Sequence, residues 1–119
     1  MAASHEDAIL IVELAKWAAM LDLNEAARTI WADGFDAEAA EATDHGVLAL
    51  LTYGETIGTL VKHGLLDRDL VYDWFGVAGV WSRVGPAATS ARERSGVPQL
   101  YENFEALAVG QPGTAAATG

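Results

Sequence analysis

Gly64-Leu65-Leu66-Asp67-Arg68-Asp69-Leu70-Val71-Tyr72-Asp73-Trp74-Phe75-Gly76 stops one helix and starts another. Gly64 supplies the stop, and Asp67 supplies a capping carboxylate for the helix that follows. That helix bends or breaks at Gly76 or Gly79 and resumes to about Val84. Upstream, residues 46–63 form a helix with Leu50, Tyr53, Gly54, Ile57, Gly58 and Val61 on one face. An internal glycine costs about 1 kcal/mol relative to alanine. Two of them four apart therefore predict the close approach of a neighbouring helix.

Working outward, Ser4 and Asp7 mark a start for a first helix over residues 5–23. Its charged positions Glu6, Glu13 and Lys16 form a narrow stripe, with apolar side chains around the rest. A helix of that kind is buried on most sides, as the centre of a bundle or as part of an oligomer interface. Asn24 is placed to cap a short second helix that Gly34 ends, with Ala26, Ala27, Ile30 and Trp31 facing inward. Residues 36–43 read as a helical turn or connector. Pro86 opens a further helix closed by Gly96, and Pro98 precedes a last one over residues 99–109. No stretch alternates with period 2. The expectation is an all-α, compact bundle of about five helices without a sheet: one domain over residues 1–109, then a disordered tail, 110–119.

At 119 residues the chain is long enough to bury a core, and 51% of it is apolar. It has no Cys, which removes disulfides, thiolate metal sites and thiol nucleophiles. The net charge of −10 is concentrated in residues 1–45, which hold ten acidic and two basic side chains. Such a surface repels phosphate backbones and anionic lipid, so direct nucleic-acid or membrane binding is not expected. Ala8–Leu21 is too short and too charged to span a bilayer. The expected location is cytoplasmic.

No motif carries a recognisable chemistry. His5, His45 and His63 have no metal-ligand spacing, and neither a phosphate loop nor a nucleophile elbow is present. We therefore expect no catalytic, metal or cofactor residues. One carboxylate asks for an explanation. Glu55 lies beside the apolar face of the glycine-containing helix and needs a partner there. Arg92 is the first choice and Arg83 the second, with Tyr72, Trp81 and Tyr101 as neutral donors, and Glu105 is the alternative partner for Arg92. Such a network is either a structural polar core or a ligand pocket, and the structural reading is preferred. The aromatic residues are read as core.

The pattern Gly54-Glu55, Leu60-Val61-x-x-Gly64-Leu65-Leu66-Asp67, Leu70-Val71-Tyr72-x-x-Phe75-Gly76, then Trp81, Pro86, Arg92 and Tyr101-Glu102-Asn103-Phe104-Glu105-x-Leu107-Ala108 resembles a family. It is a family of small helical bacterial proteins catalogued as a domain of unknown function, and the likeness covers residues 54–108. The resemblance implies an all-helical fold and assigns no activity.

These readings lead to a non-enzymatic protein that works through protein–protein contact, with itself as the partner, and with Trp17 and Met20 at the interface. One rival is a small-molecule-binding or enzymatic domain around Glu55 and Arg92. Another is an acidic inhibitor or nucleic-acid mimic, which would present the carboxylates of residues 22–44 along one exposed face.

Overall fold

The computed structural model describes residues 3–112. Within them the chain forms six helices and no strand: α1 (His5–Met20), α2 (Leu23–Trp31), α3 (His45–Lys62), α4 (Arg68–Trp74), α5 (Val77–Ser95) and α6 (Glu102–Val109). The fold is all-α, with six helices rather than about five.

α3 is the axis of the molecule. Eight of its residues are buried, among them Leu50, Leu51, Tyr53 and Ile57, and it touches α2, α5 and α6. Both glycines do what their spacing predicts. A Cβ at Gly54 would collide with the Phe104 ring, and one at Gly58 with the Asn103 carbonyl. α6 therefore lies directly against the backbone of α3. Around Tyr53 the rings of Trp17, Trp74 and Phe75 pack 5.2–6.3 Å away, and Phe104 continues the cluster to Trp81 at 5.1 Å.

α1 is peripheral rather than central. It buries only Asp7 and Leu14, against eight residues of α3. Leu10, Ile11, Trp17 and Leu21 are half-buried on the inward side. Much of its apolar character comes from alanines, which bury little area wherever they point. The Tyr53 hydroxyl donates to the Leu14 carbonyl at 2.8 Å and fixes α1 on α3.

Two helix boundaries differ from the expectation. α2 starts at Leu23 behind Asp22, which takes the left-handed conformation at φ 55°, so Asn24 is not the cap. α5 runs uninterrupted through Pro86, and no separate helix begins there. A proline inside a helix costs about 3 kcal/mol, chiefly through a lost hydrogen bond. Its neighbours Val84, Gly85, Ala87 and Ala88 are all buried, and that packing offsets the loss. Gly85 also has no Cβ to crowd the proline ring.

Gly76, lacking a side chain, leaves the N-terminus of α5 without a local cap. Gln111 supplies one, its Oε1 accepting from the Ala78 N–H at 2.9 Å. Gln111, inside the tail expected from Gly110, is thus tied to α5, while Gly110 and Pro112 are exposed. The rest of that tail, 113–119, lies outside the described residues.

Candidate functional site

Glu55 does have partners, and they are main-chain amides. Its Oε1 accepts from the N–H of Asn103 at 3.0 Å and of Phe104 at 2.9 Å. Its Oε2 accepts from Asn103 Nδ2 at 2.9 Å, and the same Nδ2 donates to Thr59 Oγ1 at 3.1 Å. The first N–H groups of a helix have no partner inside it. Tyr101, the residue before α6, takes the left-handed conformation at φ 60° and offers no capping side chain. A carboxylate one helix away fills that role, in the place where negative charge also suits the helix dipole. The glycines of α3 are what let α6 come near enough.

The expected network divides. Arg92 is not the partner of Glu55: its Nε donates to the Leu100 carbonyl at 2.7 Å. Its Nη2 stands 2.9 Å from Glu105 Oε1, an ion pair without hydrogen-bond alignment. The guanidinium also lies 5.9 Å from the centroid of Trp81. Arg83 is elsewhere, 4.7 Å above the Trp31 ring on the α2–α5 side. Tyr72 ties α4 to α6 by donating to the Leu107 carbonyl at 2.7 Å. Only Tyr101 stays with Glu55: burial first, and the Glu55 carboxylate second, push its hydroxyl pKa up. Burial alone raises Tyr53 to about 12. The sequence singled out the right carboxylate but not its partners, because a helix N-terminus from another part of the chain has no signature of its own. Asn103 stood in the matched pattern without a role.

A second carboxylate works in the same way and was read only as a local start signal. Asp7 Oδ2 accepts from the Ser4 N–H and hydroxyl, closing a capping box at the start of α1. Its Oδ1 reaches the Asp67 N–H at 2.9 Å, sixty residues away. The Ser4 N–H, the Asp67 N–H and the Ser4 hydroxyl hold the Asp7 pKa below the ordinary carboxylate value. Asp67 in turn caps α4, accepting from the Leu70 N–H at 2.9 Å.

At the expected interface, Met20 is 83% exposed, as are Ile9 (67%) and Val12 (55%). Trp17 is not free to the same degree, since it packs on Tyr53. His5, His45 and His63 are all exposed, and among the described residues no group of three or more His, Asp or Glu is placed to hold a metal. The carboxylates of residues 22–44 are all exposed. They do not lie along one straight face, because residues 32–44 fold as turns. Asp22, Glu25, Asp36 and Asp44 instead border a half-open cleft of about 560 Å3.

The chain belongs to the family described as a domain of unknown function, DUF4760, whose model matches residues 3–110. The match thus takes in α1 and α2, beyond the 54–108 stretch on which the sequence pattern rested. No curated protein and no solved structure matches the chain. Among the described residues, no helix is long and apolar enough to cross a membrane.

Proposed function

We propose that this protein is a non-catalytic helical module that works through protein–protein contact and pairs with a second copy of itself through α1. The observation that carries this reading is the outward face of α1, where Ile9, Val12 and Met20 are exposed together. Between them lies the exposed Glu13–Lys16 pair, at 3.1 Å.

That face suits a two-fold partner. In an antiparallel pair of α1 helices with the axis between residues 14 and 15, Ile9 meets the partner copy's Met20, and Glu13 meets its Lys16. A two-fold interface requires this reciprocity. The apolar ends would be covered while the charges exchange partners at the centre. Trp17, half-buried, would flank the contact. The commitment of the Glu55 carboxylate to α6, and the ring-on-ring core around Tyr53 and Phe104, also favour a structural reading of those residues over a pocket.

Sedimentation equilibrium tests the proposal. Wild-type protein at tens of micromolar, a working range of modest affinity, is expected to be dimeric. Met20→Glu is expected to be monomeric with an unchanged melting temperature. Met20 is a better probe than Trp17, whose replacement would also disturb Tyr53. A wild-type monomer under these conditions refutes the self-pairing.

A further inference from the structure

A second half-open cleft, about 450 Å3, lies where the end of α3, the start of α4 and α6 meet. That volume falls within the range of small-ligand sites. Its distinguishing feature is charge. In a chain of net charge −10 most of the basic residues are occupied: Lys16, Arg28 and Arg92 are in ion pairs, and Arg83 covers Trp31. Lys62, Arg68 and Arg94 are in no ion pair among the described residues, and the first two line this cleft.

The polar groups beside them are restricted in what they can do. Both hydrogens of the Asn103 amide are taken, one by Glu55 and one by Thr59, which leaves its Oδ1 as an acceptor. The Tyr72 hydroxyl donates to the Leu107 carbonyl, and its oxygen is the acceptor that the Arg68 side chain meets, so it is not open to a ligand. Glu102 adds a carboxylate at the rim. The cleft therefore combines two cations with two open acceptors, Asn103 Oδ1 and Glu102, over an apolar wall that includes Val61 and Leu107.

We propose that this cleft binds a small zwitterion of the amino-acid type. Its carboxylate would be held by Arg68 and Lys62. Its ammonium would donate to Asn103 Oδ1 or Glu102, and a short aliphatic side chain would lie on Val61 and Leu107. A simple anion would satisfy the cations and leave the acceptors unanswered. A simple amine would do the reverse and meet two like charges. The site is separate from the outward face of α1, so its test does not depend on self-pairing.

The experiment titrates full-length protein with leucine, 4-methylpentanoate (leucine without its ammonium) and 3-methylbutylamine (leucine without its carboxylate). Amide and side-chain NMR shifts are followed for Arg68 and Asn103. Leucine is expected to give saturable shifts at both residues, and the two truncated probes at least tenfold weaker binding. Arg68→Ala is expected to weaken leucine binding about tenfold, the scale of one charge-assisted contact. Its side chain is exposed, so the melting temperature should hold. Absence of saturation with leucine up to about 50 mM, far above the dissociation constant of a specific site, overturns the proposal. So does binding of 4-methylpentanoate as tight as that of leucine, or leucine binding indifferent to Arg68→Ala.

Discussion

Glu55 joins α3 to α6, and Asp7 joins α1 to α4, each by accepting main-chain N–H groups from a distant helix start. The helices they serve are not alike. α6 has no capping side chain of its own, so Glu55 is its cap. α4 already has Asp67 as its cap at the Leu70 N–H, and Asp7 adds a tie through the Asp67 N–H. The settings differ too. Glu55 acts where glycines have brought two backbones together, at the centre of the bundle. Asp7, itself buried, acts on the helix that leaves Ile9, Val12 and Met20 exposed. The same chemistry is therefore indispensable in one region and supplementary in the other. That difference sets the close-packed α3–α6 contact against the exposed outer face of α1.

The sharpest attempt to break this contrast is Glu55→Ala. It strands the N–H groups of Asn103 and Phe104 in a partly buried contact, at a cost of roughly 3 kcal/mol. For a domain of this size that is a fall of about 12 °C in melting temperature. Asn103→Ala combined with it is expected to lose clearly less than the sum, whereas Arg92→Ala is expected to add within about 0.5 kcal/mol. Strong coupling to Arg92 and none to Asn103, measured by urea unfolding, would reverse the assignment.

Next in size is Gly58→Ala, which drives a methyl group into the Asn103 carbonyl and is expected to cost about 2 kcal/mol. Gly79→Ala is its control. That position is exposed within α5, and a Cβ there meets only the Trp31 ring at an ordinary 3.6 Å. Helix propensity then decides, and the variant is expected to gain about 0.5 kcal/mol. Equal losses at both glycines would remove the argument for close approach. Smaller again is Gln111→Ala, which uncovers the Ala78 N–H and is expected to cost about 1 kcal/mol in thermal unfolding, as for loss of a helix cap. No change would show that water replaces the side chain without loss.

What the sequence disclosed follows the range of each interaction. The glycine pair, the Asp67 cap and the stop at Gly64 are local, so residue type and spacing carry them. Close approach at Gly54 and Gly58 was legible because glycine in mid-helix is unfavourable unless something needs the space. The partners of Glu55 were not legible, because an amide N–H is present in almost every residue and only the fold selects Asn103 and Phe104. Charge alone left Arg92 with two carboxylates to choose from, Glu55 and Glu105, and it lies beside Glu105 and the Leu100 carbonyl. Pro86 misled, and α1 stayed ambiguous, for a related reason. Local rules mark Pro86 as a start, but the burial of its neighbours outweighs one lost hydrogen bond. Apolar composition left α1 either central or at an oligomer interface, and the exposed Ile9, Val12 and Met20 remove only the first of these.

The smallest expected effect concerns Asp7, and it is visible only as a dependence on pH. The Asp7 pKa is held down in the folded protein by the Ser4 N–H, then by the Asp67 N–H and the Ser4 hydroxyl. A group whose pKa is lowered on folding stabilises the fold fully above its unfolded value, about 3.9 for Asp. That contribution is lost as the pH falls through the lower folded value. Asp7→Asn has no such titration. The wild type is thus expected to exceed Asp7→Asn by a constant margin from pH 8 to about 5, and the margin should shrink as the pH drops below about 4. Urea midpoints of the two proteins along the same pH series measure it. A margin that stays the same down to about pH 3 would mean that the charge of Asp7 contributes nothing. The tie between α1 and α4 would then rest on packing alone, and the likeness between the two carboxylates would be one of geometry without energy.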